Sequence, residues 1–212
     1  MPTNLQILFV HGMGRSPLSA WPMLWQLRQN GHTTKTFGYC TSLESFSDIK
    51  NRLVAKLNAL ADKGEYVVIG HSLGGVLLRA AIDSLPTDTR KPCHLFLLAS
   101  PIKPARLATR LRNNFIYRAI TRDCGQLLGS DARMQAIPPT SVPTTAIVGV
   151  CELPFSTVFS PEEVNDGIVS LSEVSENWIN DQVKVNIPHS FIPASRRVGD
   201  IILDRINQMQ KV

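Results

Sequence analysis

The sequence predicts an α/β fold in which a mostly parallel central sheet is flanked by helices. Short apolar or β-branched runs alternate along the chain with longer segments whose apolar residues recur at helical spacing. The first run, 5–10, is apolar almost throughout, as expected of a strand buried on both faces. With 212 residues the chain is long enough for a substantial core, and we interpret 1–212 as a single domain.

The predicted elements alternate in the order that such a sheet requires. Strands are expected at 5–10, 33–39, 66–70, 94–98, 144–150 and 183–187, and helices at 17–30, 45–63, 73–84 and around 198–206. Gly31 and Gly64 follow the first two helices, where glycine commonly ends a helix. The stretch 101–142 is longer than a simple crossover between strands requires, which predicts a short cap inserted over one end of the sheet.

Composition places the chain among ordinary globular proteins. Hydrophobic residues make up 43% and charged residues 18%, and no apolar run approaches the ~20 residues that span a bilayer. The first residues lack a basic segment and a cleavage site, so we expect no signal peptide and a cytoplasmic protein. The cysteines have neither CxxC spacing nor histidines at zinc-ligand distance, so free, buried cysteines and no metal are expected. Three of the four, Cys40, Cys93 and Cys151, lie in or beside predicted strands.

One short motif points to chemistry. It is G-x-S-x-G, and it reads Gly70-His71-Ser72-Leu73-Gly74. It follows a β-branched strand and precedes a helix, the context in which a serine lies on a sharp, strained turn with its hydroxyl exposed. Glycines are expected on both sides because strand and helix cross too closely there for a Cβ atom. The motif predicts that Ser72 is a nucleophile; the alternative is a glycine-rich turn with an incidental serine.

A serine nucleophile on such a turn is followed in the chain first by an acid and then by a histidine. Of the five histidines, only His189 lies late enough in the sequence. It falls between the last predicted strand and the last helix, where a loop can place it over Ser72. The alternative is an ordinary surface-loop histidine.

The acid has to be chosen among several carboxylates between residue 150 and His189. They are Glu152, Glu162, Glu163, Asp166, Glu173, Glu176 and Asp181. Asp166 is favoured because the sequence Asn165-Asp166-Gly167 is typical of a tight turn, and a short, turn-held carboxylate suits the task of fixing an imidazole tautomer. Glu152 is the second candidate because it lies nearer the tip of its strand.

The first predicted strand ends in His11-Gly12-Met13-Gly14, a flexible turn that can aim backbone N–H groups at a developing oxyanion. We expect the backbone N–H groups of Met13 and Leu73 to be the donors. His11 precedes the motif in the chain and is interpreted as a residue that shapes this loop through hydrogen bonds. Gly12 and His71 are expected to support the same loop region.

Together these segments resemble the signature sites of small bacterial lipases and serine esterases of the α/β-hydrolase fold. That group includes compact lidless lipases, and relatives of the GPI-inositol deacylases share similar motifs. The matching segments are 11–14, 70–75, 165–170 and 188–190. The resemblance covers 5–212 in element order, but 103–140 contains no matching motif. It implies ester hydrolysis through an acyl-enzyme, with Ser72, Asp166 and His189 as the catalytic triad and no cofactor, on a small-molecule or lipid ester.

Two other functions remain open beside ester hydrolysis. An acyltransferase or a thioesterase could use the same triad, and the nature of the competing nucleophile would distinguish transfer from hydrolysis. A non-catalytic binding protein of the same fold would be expected to lack one triad residue, whereas this chain has a candidate for each.

The predicted cap is strongly basic. Between 103 and 122 it contains six basic residues and no acidic residue, and the first acid after them is Asp123. The basic residues are Lys103, Arg106, Arg110, Arg112, Arg118 and Arg122. Apolar residues recur nearby at roughly helical spacing: Leu107, Leu111, Phe115 and Ile120. We favour a cap helix whose apolar face covers the sheet edge; a lid or a contact with anionic lipid through these arginines is the alternative. No motif supports nucleic-acid binding.

Overall fold

The computed structural model describes residues 4–151 and 163–210, and its centre is a six-stranded parallel sheet. The strands are β1 (Gln6–Val10), β2 (Thr33–Phe37), β3 (Tyr66–His71), β4 (His94–Leu98), β5 (Thr144–Gly149) and β6 (Asp181–Val185). They lie in the order β2-β1-β3-β4-β5-β6, and each neighbouring pair is parallel. The predicted α/β fold with a parallel central sheet is therefore confirmed.

Helices cover both faces of the sheet. They are α1 (Trp21–Gln29), α2 (Phe46–Ala61), α3 (Leu73–Asp83), α4 (Arg106–Leu111), α5 (Phe115–Leu128), α6 (Asp131–Gln135) and α7 (Arg196–Met209). Successive strand residues point to opposite faces, so the core divides into two clusters. One cluster joins the sheet to α2, α3 and the buried part of α5, and the other joins it to α1 and α7.

Two element boundaries differ from the prediction for reasons of local chemistry. The predicted first helix is a 3-10 turn, Pro17–Ala20, followed by α1, because Pro22 has no N–H to donate and is tolerated only in a helix's first turn. The last strand begins at Asp181 and ends at Val185, two residues earlier than expected. The chain then turns, with the Ile187 N–H donating to the Val185 carbonyl.

The cap differs from the favoured expectation. Residues 101–142 contain three separate helices, α4 to α6, in place of a single cap helix. Phe115 and Ile120 are 83% and 53% exposed, so the prediction that they cover the sheet edge is wrong. The reason is a kink inside α5 at Arg122, whose φ is 43°. The kink directs the second half of α5, with Cys124, Leu127 and Leu128, toward the core and leaves most of the first half in solvent.

The cysteines are free, but their burial is only partly as expected. Cys124 is buried, Cys93 and Cys151 are partly buried, and Cys40 is exposed. The expectation of burial is wrong for Cys40 because it lies in a turn after β2, where its carbonyl accepts the N–H groups of Leu43 and Glu44. No helix in the described part of the chain combines the length and apolar character needed to cross a bilayer.

His94, the first residue of β4, makes the stability of the fold sensitive to acid. Its Nε2 lies 2.9 Å from the Thr145 hydroxyl, whose proton is directed to Asp181, so Nε2 carries the ring proton. Burial lowers the pKa of His94 to about 4, with Asp181 opposing the shift and Arg205 adding to it. The unfolded chain therefore binds a proton below about pH 6.5 that the folded protein excludes, and stability falls as the pH drops from there toward 4.

His94→Gln should reduce this acid sensitivity, since glutamine keeps a donor for Thr145 and does not titrate. Between about pH 7 and about pH 5 the wild type should lose about 2 kcal/mol more unfolding free energy than the variant. Urea unfolding at the two pH values measures the difference. Equal losses in the two proteins would contradict the assignment of this acid sensitivity to His94.

Candidate active site

The candidate site lies at the carboxyl edge of the sheet, where the strand order reverses. From β1 the chain continues to β2 on one side, and from β3 it continues to β4 on the other. The ends of β1 and β3 are in register there, with Val10 opposite Gly70. In open α/β sheets the crevice at such a point is the usual place for a ligand. The His11 loop and the Ser72 turn both begin at this crevice.

Ser72 occupies the turn between β3 and α3 in a conformation that few side chains adopt. Its φ is 52° and its ψ is −124°, and its N–H donates to the Leu98 carbonyl at 2.9 Å. A positive φ costs a residue other than glycine about 1–2 kcal/mol, which the buried helix and strands on either side must offset. The side chain is only partly buried, although Leu73 and His71 beside it are fully buried.

The glycines around Ser72 are required by close packing, but not both for the expected reason. A Cβ on Gly70 would lie 2.5 Å from the Cα of Gly75, so strand and helix do cross too closely there. A Cβ on Gly74 would instead overlap the carbonyl oxygens of Val10 and His11. The second glycine therefore allows α3 to pack against the end of β1, next to the His11 loop.

Gly74→Ala should be strongly destabilising. The added methyl group meets backbone oxygens that cannot rotate away, so β1 or α3 must shift, and overpacking of this kind costs about 3 kcal/mol. Urea unfolding measures the loss. Gly38→Ala is the matched control because the nearest side-chain atom to its new Cβ would lie at 3.4 Å, an ordinary contact. Equal stability of the two variants would contradict the packing argument.

Asp166 lies in a tight turn that holds its carboxylate by the backbone. One carboxylate oxygen, Oδ1, accepts the N–H groups of Ile168 and Val169 at 3.0 and 2.9 Å. Gly167 has a φ of 94°, which the turn requires and glycine adopts without strain. The side chain is fully buried, so the second oxygen, Oδ2, is directed into the protein. The turn chemistry predicted from Asn165-Asp166-Gly167 is present.

His189 contacts that second oxygen. Its Nδ1 lies 2.7 Å from the Asp166 Oδ2, and its backbone N–H donates to the Asp166 carbonyl at 3.0 Å. Because Nδ1 donates to the carboxylate, Nε2 is the nitrogen that remains free to accept a proton from a nucleophile. The structure thus brings together two of the three residues selected from the sequence.

His71, which precedes Ser72, connects the turn to His189. Its Nε2 donates to the His189 carbonyl at 3.1 Å, and the two rings lie 4.9 Å apart. Burial first, and the neighbouring His189 second, hold the pKa of His71 well below its ordinary value. His71 is therefore neutral at physiological pH and places no second positive charge beside an imidazolium at His189.

The other described carboxylates after β5 have different partners. Glu173 accepts the N–H groups of Ser170 and Arg106, which ties the Asp166 turn to the cap. Glu163, Glu176 and Asp181 form ion pairs with Arg106, Lys103 and Arg205 respectively. Among the described carboxylates only Asp166 lies against His189. The second candidate, Glu152, lies outside the described residues, as does Glu162.

The loop after β1 presents one of the two expected oxyanion donors. His11 Nδ1 donates to the Gly12 carbonyl at 2.8 Å, while its Nε2 accepts the Tyr39 N–H at 3.3 Å. The Gly12–Met13 peptide is trans, so the Met13 N–H points to the side opposite that carbonyl, away from the His11 ring. The contacts of His11 therefore hold the Gly12–Met13 peptide and with it the direction of the Met13 N–H.

Two further residues stabilise this loop and were not identified from the sequence. Tyr39 stacks on His11 with ring centroids 4.2 Å apart, and its hydroxyl donates to the His11 carbonyl at 2.7 Å. Arg15 donates to the Ser190 hydroxyl and so joins the loop to the segment that carries His189. Neither residue belongs to a motif, and Tyr39 reaches His11 only because β2 and β1 are adjacent.

The expected donors are unused within the described part of the chain. Neither the Met13 N–H nor the Leu73 N–H has a hydrogen-bond acceptor there. Leu73 is the first residue of α3, where the backbone N–H has no partner inside the helix and the helix dipole favours negative charge. Gly12 packs against the Ser72 turn, since a Cβ there would lie 2.9 Å from the His71 Nδ1 and 3.1 Å from the Ser72 Cβ.

A separate cavity of about 800 Å³ lies beneath the cap. Arg79, on its wall, is seven residues beyond Ser72 on α3, about 10 Å along the helix axis. Its guanidinium donates to the Ile137 carbonyl at 2.8 Å and faces the Trp178 ring at 5.1 Å. Burial lowers the pKa of Arg79 to about 10, although Glu176 opposes the shift. Arg79 thus anchors the end of the cap to α3.

No cluster of three or more histidine, cysteine, aspartate or glutamate side chains that could hold a metal ion occurs within 4–151 and 163–210. The candidate site instead consists of a partly exposed hydroxyl, a histidine hydrogen-bonded to a buried carboxylate, and two free backbone donors. Such a group can activate an oxygen nucleophile and stabilise an oxyanion.

Solved structures of other proteins resemble this α/β structure closely, although their sequence identity to the chain is very low. No family model matches the chain, and no curated protein sequence matches it. Among solved structures, the mature form of the lipase BlEst2 from Bacillus licheniformis is similar with a TM-score of 0.78 and 15% identity, over 97% of this chain and 93% of that one. A metagenomic carboxyl esterase is similar with a TM-score of 0.73 and 13% identity, over 98% and 77%.

A third similar structure is a thioesterase, RedJ, from the prodiginine pathway of Streptomyces coelicolor. Its TM-score is 0.64 at 13% identity, over 97% of this chain and 86% of that one. At such identities the similarity establishes the fold. The chain has the α/β-hydrolase fold, as its motifs predict.

Proposed function

We propose that the protein is a serine hydrolase that cleaves carboxylic esters through an acyl-enzyme. The observation that carries the proposal is the buried 2.7 Å contact between His189 Nδ1 and Asp166 Oδ2 at the sheet edge that holds Ser72. A carboxylate so placed fixes the tautomer in which His189 Nε2 can accept a proton. The strained turn at Ser72 adds support, because such strain persists at functional sites.

In the first half-reaction the Ser72 hydroxyl attacks the ester carbonyl while His189 Nε2 takes its proton. The carbonyl oxygen becomes an oxyanion, and the backbone N–H groups of Met13 and Leu73 donate to it. A donor of this kind lowers the barrier by about 3–4 kcal/mol in comparable enzymes. The imidazolium then protonates the leaving alcohol, and the acyl group remains on Ser72.

In the second half-reaction water replaces the alcohol as the nucleophile. His189 takes a proton from the water, the hydroxide attacks the acyl carbonyl, and the same two N–H groups receive the oxyanion. The acid leaves and the proton returns to Ser72. Asp166 keeps its negative charge throughout and stabilises the imidazolium that forms in each step.

Hydrolysis of soluble p-nitrophenyl esters of increasing acyl length tests the proposal. Purified protein should release p-nitrophenol in a saturable reaction, with a burst where deacylation is slower than acylation. A fluorophosphonate should inactivate it and leave one covalent adduct on the peptide that carries Ser72, which peptide mass spectrometry locates.

Three other outcomes would point away from ester hydrolysis. A large preference for acyl thioesters would assign a thioesterase, and formation of a butyl ester in the presence of butanol faster than free acid would assign an acyltransferase. If the protein neither turned over esters nor reacted with the fluorophosphonate, a non-catalytic binding protein of this fold would be the remaining interpretation. A fluorophosphonate adduct on another residue would reject Ser72.

A further inference from the structure

The first half of α5 leaves large apolar side chains in solvent. Phe115 and Ile116 are 83% and 65% exposed, and Ile120 is 53% exposed. Leu43, at 78%, lies in the loop after β2, and its neighbour Ser42 donates to the Ile120 carbonyl at 2.7 Å. We call these four residues the apolar patch. A patch of this kind on a protein surface usually marks a site of interaction.

The exposure of the patch is built into the cap. Asn114 caps the start of α5 by accepting the Tyr117 N–H, and the kink at Arg122 then redirects the helix. Beyond the kink, Asp123 accepts the Phe46 N–H at 2.9 Å and fixes the buried half of α5 against the start of α2. The patch cannot turn inward without breaking these contacts.

Several arginines lie close to the patch in the chain. Arg110, Arg112, Arg118 and Arg122 are exposed, and within the described residues none of them has a carboxylate within ion-pair distance. Arg106 differs, because it pairs with Glu163 and Glu173, so its charge is already compensated. The arginines that remain, interleaved with exposed aromatic and aliphatic residues, match a surface that offers phosphate groups above an apolar layer.

The patch lies at the same edge of the sheet as Ser72. The loop that carries Leu43 also carries Tyr39, which stacks on His11 beside Met13. On the other side of the crevice, Phe191 is 65% exposed and lies in the same 3-10 segment, His189–Ala194, as His189. Exposed apolar side chains thus lie on both sides of the crevice and can face one surface together.

We propose that the apolar patch and its arginines dock the protein on an anionic lipid surface, with the Ser72 crevice facing that surface. The substrate would then be an ester presented by lipid; this part of the inference rests on the proposed function, whereas docking itself does not. A bilayer is the occupant that matches both features, because arginines bind its phosphates while exposed apolar side chains enter the layer beneath them.

Sedimentation with vesicles tests docking independently of catalysis. Ser72→Ala protein is used so that no lipid is cleaved, with vesicles of phosphatidylcholine alone or mixed with phosphatidylglycerol. The mixed vesicles should bind the protein and added salt should release it. Phe115→Ser with Ile116→Ser should lower the partition constant at least about tenfold. Arg112→Gln with Arg118→Gln should lower it about twenty-five-fold, from roughly fivefold per arginine.

Matched controls separate the patch from general charge and hydrophobicity. Arg90→Gln with Lys91→Gln removes two exposed charges at the opposite edge of the sheet, just before β4, and should leave vesicle binding unchanged. Trp25→Gln removes a half-exposed aromatic on α1 and should also leave it unchanged. Circular dichroism checks that each variant is folded.

The outcomes separate this inference from the proposed function. Docking is overturned if phosphatidylglycerol has no effect, or if the Arg90 and Lys91 pair matters as much as the Arg112 and Arg118 pair. Soluble ester hydrolysis without vesicle binding would refute docking and leave the proposed function standing. Vesicle binding by a wild type that labels with no fluorophosphonate and cleaves no ester would refute the proposed function alone.

Discussion

Ser72→Ala is expected to reduce the turnover of a soluble p-nitrophenyl ester by at least about a thousandfold, because it removes the hydroxyl that forms the acyl bond. Alanine keeps the Cβ atom, so the packing of the turn is unchanged and the unfolding free energy should stay within about 1 kcal/mol of the wild type. Residual activity should come from the two backbone donors alone. Steady-state kinetics and urea unfolding on the same preparations measure both effects.

The control for this variant lies at the other end of the same helix. Ser84, the residue after α3, donates to the Ala80 carbonyl at 2.9 Å, and Ser84→Ala should retain turnover close to that of the wild type. Fluorophosphonate labelling should disappear in Ser72→Ala and persist in Ser84→Ala. Turnover by Ser72→Ala at the wild-type rate would reject Ser72 as the nucleophile.

The parts of the fold that depend on short-range sequence could be predicted. The parallel sheet and the helix expected at 45–63 follow from alternating apolar runs and helical periodicities, and the structure begins that helix, α2, with a capping box formed by Ser45 and Asp48. The tight turn at Asp166 follows from its neighbours, because an Asn-Asp-Gly sequence bonds to its own backbone. Chain order alone then selected His189, which the structure places against Asp166.

Features that depend on distant contacts could not be predicted. The kink at Arg122 is stabilised by the Arg122 guanidinium bonding to the Ser42 carbonyl, across 80 residues of sequence. A periodicity argument treats the basic stretch 103–122 as one cap helix, and it therefore placed Phe115 and Ile120 on a buried face. The stacking of Tyr39 on His11 likewise requires knowing that β2 lies next to β1.

Asp166→Asn should reduce kcat by about ten thousandfold while leaving the fold intact. The asparagine Oδ1 can still accept the N–H groups of Ile168 and Val169, so the turn is preserved. The NH₂ group then occupies the position of Oδ2 and faces His189 Nδ1. It forces Nδ1 to become the acceptor, and the ring proton moves to Nε2, where it prevents His189 from taking the proton of Ser72.

The pH dependence of Asp166→Asn shows whether its loss of activity comes from the wrong His189 tautomer or from a disordered turn. If the tautomer is the cause, raising the pH should restore part of the activity, because hydroxide can deprotonate Ser72 without His189, whereas a disordered turn would not recover. Glu152→Gln is the matched control, since it tests the other acid considered from the sequence and should retain turnover. A large loss in Glu152→Gln together with an active Asp166→Asn would transfer the role of the acid to Glu152.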